Sequence, residues 1–404
     1  MYKCSKWITI FCIGFLLSGC WDQVESEERG YVIGVALDAI ENQRLEDIEQ
    51  VKEDSSLQNQ NEGRFKATYQ LVVTSALQSS GSSDGQGSGD AFLNLTSTGN
   101  TMFTITRDIA KQTSRAPYLE HIKVIIMSEE LARKGYFSKL LDIFLRDHEM
   151  RRATKVLISK GEALELFQTK SKIEKLPVIY IDSISENTFK NAEMLPITTT
   201  GDVHAFLLSK KSFAIPTIFL DDQNVKVEGA AVFNSENQKM VGYLTKEETE
   251  GLNYIRGDVK GGVIEIVIDG QRMAVEIKEA KRKFHADLSN SDHVKVTVNI
   301  EAEGNVGETF EGLDLLNPKM ISKIEKEVAK NIEKLAEDVI TKTQEDYQAD
   351  ILGIGSYLHQ DHYQTWNKIK KDWEQGEHIF SKSNIEVKAK VKVRNIGVNI
   401  ESNK

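Results

Sequence analysis

No cysteine follows position 20 in this chain of 404 residues; the three present are Cys4, Cys12 and Cys20. A structural disulfide is therefore excluded downstream, and stability there must come from burial and backbone hydrogen bonding. Long apolar runs are also missing. Beyond the first residues nothing approaches the ~18 consecutive apolar residues of a transmembrane helix. Positive charge is in deficit, with 51 basic against 61 acidic residues and a formal net charge of −10. Such a body does not suit nucleic acid, whose phosphates need basic patches, nor electrostatic adhesion to anionic lipid. Catalytic motifs are absent too. There is no G-x-S-x-G elbow and no H-E-x-x-H, since His148-Glu149 runs on into Met150, Arg151 and Arg152. Of five prolines, three (Pro177, Pro196 and Pro216) fall in one less regular stretch.

The most informative segment present is Leu17-Ser18-Gly19-Cys20. It closes an apolar run from Trp7 to Leu17 that follows Lys3 and Lys6. Charged start, short apolar run and small residues before a cysteine have the form of a bacterial lipoprotein signal. Residues 1–19 are then expected to be a signal peptide. Cys20 is the expected lipidation site and mature N-terminus, and the rest would lie outside the cytoplasmic membrane. The acyl chains, at about 0.8 kcal/mol per buried CH₂, would supply the attachment.

Periodicity predicts an α+β or α/β multidomain chain. Residues 20–170 read as an N-terminal mixed α/β domain. It opens with an apolar strand over 30–38 and a second, pairing strand over 65–75, then alternates helices and strands. Residues 171–222 read as a middle domain or connector. Residues 223–404 read as a C-terminal antiparallel sheet plus a long helix. Its strands alternate strongly, as in Ile385–Arg394, IEVKAKVKVR. The helix is expected from Asn317 as cap and Pro318 as first residue to about Ala349. Its apolar stripe of Ile324, Val328, Ile332 and Val339 would cover the sheet, a coiled-coil partner being the alternative. Polar residues 41–63 read as a flexible loop or a frayed helix, and the Gly/Ser-rich stretch 78–90 as a mobile loop. The latter matches no phosphate-binding glycine motif and holds no lysine.

The best metal candidate is His359-Gln360-Asp361-His362 with Asp350 upstream. A solvated turn between helices explains it more simply, so no metal, cofactor or catalytic residue is assigned. Arg146-Asp147-His148-Glu149-Met150-Arg151 reads as a salt-bridge cluster fixing a helix-to-strand turn, with a polar interface patch as the functional alternative.

The order of these features resembles the C-subunit lipoproteins of bacterial spore germinant receptors, the Ger(x)C family. The resemblance is carried by Cys20-Trp21-Asp22, Gly34, Gly99, Pro117-Tyr118, His121, Ser128-Glu129-Glu130, Gly135 and Arg146-Asp147-x-Glu149-x-Arg151. It continues through Glu228–Phe233, Val241–Leu244, Glu248-Thr249 and Asp350-x-x-Gly353-x-Gly355 to Trp366 and Trp373. It implies three α/β domains, no enzymatic activity, and lipid attachment at Cys20 on the outer face of the spore inner membrane. It also implies two integral, multi-pass membrane partners, one transporter-like. A small-molecule germinant would be bound by a partner subunit. The alternatives are a solute-binding lipoprotein of a nutrient import system and, more remotely, an envelope enzyme using His359 or His362.

Overall fold

The computed structural model describes residues 29–40, 64–78, 90–171, 173–289, 294–309 and 313–397. The expected signal peptide with Cys20, residues 41–63 and most of the Gly/Ser stretch lie outside these residues.

The first layer is a nine-stranded mixed sheet. Its strands are β1 (Arg29–Ala39), β2 (Phe65–Val72), β3 (Phe92–Gly99), β4 (Ala116–Tyr118), β5 (Val124–Ser128), β6 (Lys155–Ser159), β7 (Phe213–Asp221), β8 (Asn224–Phe233) and β9 (Met240–Leu244). They run in the order β3-β2-β1-β5-β6-β7-β8-β9, with β4 also on β1. The β1–β5–β6–β7 pairs are parallel and the outer pairs antiparallel. Parallel pairing needs crossovers, and helices supply them. After α1 (Thr74–Gln78) these are α2 (Met102–Ile109), α3 (Glu129–Arg133), α4 (Phe137–Arg146), α5 (Ala163–Phe167), α6 (Pro177–Ile184) and α7 (Thr200–Ser209). One face packs Met102, Ile105, Leu140, Leu141 and Phe144. The other packs Leu166, Phe167, Val178 and Ile181. Gly34 of β1 has no room for a Cβ against Val178 and Phe167, so this strand position lets α5 and α6 lie directly on the sheet.

The expected border at 222/223 falls on the turn of a hairpin. Asp221 pairs with Asn224, and Asp222 and Gln223 adopt φ of 46° and 73°, as in a two-residue type I′ turn. Residues 213–244 therefore complete the first sheet. β7, β8 and β9 pair antiparallel like the later strands, and β7 also pairs parallel with β6 through Ile158↔Thr217.

After α8 (Lys246–Arg256) a second sheet follows, with β10 (Gly262–Ile268), β11 (Gln271–Asp287), β12 (Lys295–Thr309) and β13 (Asn384–Asn395) in chain order. The β10–β11 turn uses Asp269 and Gly270 at φ 52° and 82°. The sheet is antiparallel through β12, and β13 joins β12 in parallel. The connection from β12 to β13 is helical, and a crossover of that length returns a strand in the same direction. It comprises α9 (Pro318–Thr341), α10 (Ile354–Asp361), α11 (Tyr363–Ile369) and α12 (Ile379–Lys382). Asn317 caps α9 and Pro318 opens it. Ile324, Val328, Ile332, Ala336 and Val339 are buried in the core that also holds the inner residues of the second sheet. The same core reaches Ala214, Ala230, Val232 and Leu244 of the first sheet, so the two sheets share apolar contacts.

Candidate functional site

Asp350 gathers the C-terminal motif residues into one buried knot. The chain leaves α9 through a wide π turn, Lys342–Tyr347, and turns at Gln348 with φ 49°. The Asp350 side chain then accepts from the amides of Gly353 (3.0 Å) and Ile354 (3.2 Å) on Oδ1. On Oδ2 it accepts from the Gly355 amide (2.5 Å) and Trp373 Nε1 (2.8 Å). Four donors on two oxygens occupy the carboxylate fully. Gly353 has φ +88°, and a Cβ on Gly355 would lie 2.9 Å from both Trp366 and Trp373. The two indoles meet edge to face at 5.8 Å, and Trp373 continues onto Phe380. The Asp350 amide donates to Glu374 Oε1 at 2.6 Å. Burial, and then the charge of Asp350, push the Glu374 carboxyl up.

This knot is tied to the junction of the two sheets. Arg256, at the end of α8, donates from Nε to the carbonyl of Ile351 at 2.9 Å, and burial lowers its guanidinium pKa. Helix α8 is capped at Thr245 by a reciprocal bond pair with Glu248 and ends on Gly257 in the left-handed region. Thr249 to Ile255 are all buried, as expected for a helix packed on several sides. A Cβ on Gly251 would run into the Leu335 carbonyl, which sets how closely α8 crosses α9. Beside it Glu250 is buried with Oε1 unpartnered. Burial, with the charges of Glu193 and Glu247, pushes it to about 7 against the opposing effect of Lys246. The stretch reads as an ordinary polar first turn, so the sequence carries no signal that this carboxyl is inside.

The proposed metal-ligand types do not converge. His362 Nε2 lies 3.1 Å from the Tyr357 hydroxyl, His359 sits tilted against the rings of Tyr363 and Trp366, and Asp350 is spent in the knot. Among the described residues no group of three or more His, Cys, Asp or Glu is placed to hold a metal ion.

The charged end of α4 is a bonded cluster. Arg146 pairs with Asp142 of its own helix at 2.7 Å and Arg151 with Glu120 at 2.9 Å. Glu149 accepts from the Leu119 amide, and Asp147 from the Glu149 amide. Tyr118 donates to Glu120, and Arg29 lies 4.1 Å over the Tyr118 ring. These bonds from Tyr118 and Arg151 hold Glu120 below the usual carboxylate range. The cluster thus joins β4, the α4–β6 turn and the start of β1.

Residues 22–220 match the family described as spore germination protein N-terminal domain. Residues 228–397 match that described as spore germination B3/GerAC like, C-terminal. Spore germination protein YndF of Bacillus subtilis (strain 168) is 30% identical over 396 residues, covering 96% of each chain. The chain belongs to the GerAC-like family of spore germination proteins. Spore germination protein B3 of the same organism is 25% identical over 402 residues, covering 98% of this chain and 99% of that one. The solved structure titled crystal structure of the GerBC protein matches with a TM-score of 0.59 and 22% identity, covering 82% of this chain and 94% of that one. That likeness speaks to fold. The family is the germinant-receptor C-subunit family that the ordered motifs resembled.

Proposed function

We propose that this GerAC-like protein is the lipid-anchored, non-catalytic subunit of a spore nutrient germinant receptor. Cys20 carries the lipid, and the folded body lies on the extracytoplasmic face of the spore inner membrane. Two multi-pass membrane subunits complete the receptor, and the germinant binds on one of them. Binding there shifts a conformational equilibrium that this subunit supports. The observation that carries the reading is the full-length likeness to spore germination proteins, joined to a lipoprotein-type cysteine at the end of the leader. No helix among the described residues is long and apolar enough to cross a membrane, which is compatible with attachment through lipid.

Affinity capture of the tagged full chain from mildly solubilised spore membranes, followed by mass spectrometry, tests it. Two multi-pass proteins, one transporter-like, are expected. An ATP-driven permease in their place, or no membrane partner across several mild detergents, overturns the reading.

A further inference from the structure

The second sheet has two edge strands, and they are finished differently. On β13 the outward amides of Ala389 and Val393 donate to Glu333 (2.8 Å) and Glu325 (3.0 Å), carboxylates on the same face of α9. Lys388, Lys390 and Lys392 alternate along that strand. Occupied amides and a row of like charge both resist the addition of another strand.

β10 has neither protection. Gly262–Ile268 pair only with β11, in unbroken register. Among the described residues nothing bonds the backbone groups on the other edge. The strand carries no proline, no lysine and no bulge. Its residues alternate cleanly, with Ile264 and Ile266 buried and Val263 and Val267 exposed at 56% and 60%. Alongside runs an open groove of about 560 Å³ between β10 and α9, lined by Ile266, Arg272, Lys330 and Lys334 together with the carboxylates Glu265 and Glu327. Lys323, on the same helix, pairs with Asp269 in the β10–β11 turn. Arg272, Lys330 and Lys334 have no ion pair among the described residues.

We infer that β10 is an acceptor edge on which an extended, alternately acidic and apolar segment of a partner polypeptide adds a strand to this sheet. Main-chain bonds to the free edge supply affinity, and alternate side chains supply choice. Residues of the added strand on the α9 side meet Lys330 and Lys334, which select carboxylates. Those on the opposite side lie beside Val263 and Val267, which select apolar groups, and beside Glu265 between them, which disfavours a carboxylate there. That the partner is a subunit of the same receptor rests on the function proposed above; the acceptor edge itself does not.

Hydrogen exchange on the full chain, captured in its membrane assembly and again after detergent dissociation, tests the inference. On assembly the amides of residues 262–268 are expected to slow by about tenfold or more. The double variant Lys330→Glu/Lys334→Glu should lose this slowing while its melting temperature stays within about 2 °C of the parent. Unchanged exchange at 262–268 while the multi-pass subunits co-purify overturns the edge and leaves the receptor reading intact. Slowing that survives the double reversal also overturns it, as does slowing that tracks self-association in sedimentation, which assigns the edge to a second copy. If other polypeptides co-purify in place of the multi-pass subunits, the receptor reading fails. Protection at 262–268 by those polypeptides would still support the edge, and its absence would overturn it.

Discussion

Glu250 shows how far a single residue's setting can depart from its surroundings in the chain. Its carboxyl is buried beside Glu193, Glu247, Lys246 and the buried Tyr254 hydroxyl, and its value in the fold, about 7, stands above the ordinary 4.5. A group raised in the folded state contributes its stability fully below the unfolded value and loses it as pH rises through the folded one. Going from pH ~5 to pH ~8, the parent chain is therefore expected to lose about 2.5 kcal/mol more than Glu250→Gln. Asp38, raised to about 6 by burial despite bonds from Ala163 and Leu164, acts in the same sense in both proteins and cancels from the difference. Denaturant melts at each pH measure it, and parallel pH profiles would refute it. Asp350 is the opposite case, a carboxylate with four donors. Asp350→Asn sets an amide group against those N–H donors and should cost about 3 kcal/mol, read by the same melts. A cost under about 0.5 kcal/mol would show that the knot does not hold this region together.

At the scale of elements, the glycines sort by what surrounds them. Gly251 lets α8 cross α9 where a Cβ would strike the Leu335 carbonyl, and backbone cannot move aside cheaply. Gly270 sits in the open β10–β11 turn with nothing within 4 Å and φ +82°. Gly251→Ala is expected to destabilise by about 2–4 kcal/mol, whereas Gly270→Ala should cost only the ~1 kcal/mol of a left-handed alanine. Equal losses in thermal unfolding would contradict that division. The elements themselves were largely legible. The alternation of Gly262–Ile268 and Asn384–Asn395, the stripe and cap of α9, and the Gly270 turn all read directly from periodicity and turn chemistry. Ser128 was legible only in part. It stands in the cap position of α3 with extended backbone, yet its hydroxyl makes no capping bond.

For the whole molecule, the proposed attachment at Cys20 would limit where the body can lie. Eight residues lie between Cys20 and Arg29, a reach of at most about 30 Å. On the proposed reading, the cluster of Arg29, Tyr118, Glu120 and Arg151 therefore stays within that distance of the membrane surface. Cys20→Ala should abolish lipidation and weaken nutrient-triggered germination. Membrane retention with normal processing of that variant, followed by fractionation and immunoblotting, would count against Cys20.

The sequence by itself determined the chemistry of single positions and local periods. The lipoprotein-like pattern ending in Cys20, the want of any later cysteine, the strand and helix types and the family motifs need no partner element to be recognised. Pairing and burial depend on residues far away in the chain, and only the tertiary structure decided them. It joined 213–244 to the first sheet through β6–β7 and set β13 parallel to β12. It also placed Glu250 inside and brought Asp350 to Trp373. A strand's alternation says which face is buried but not which neighbour it pairs with. A carboxylate's sequence context likewise says nothing of the helix that will cover it.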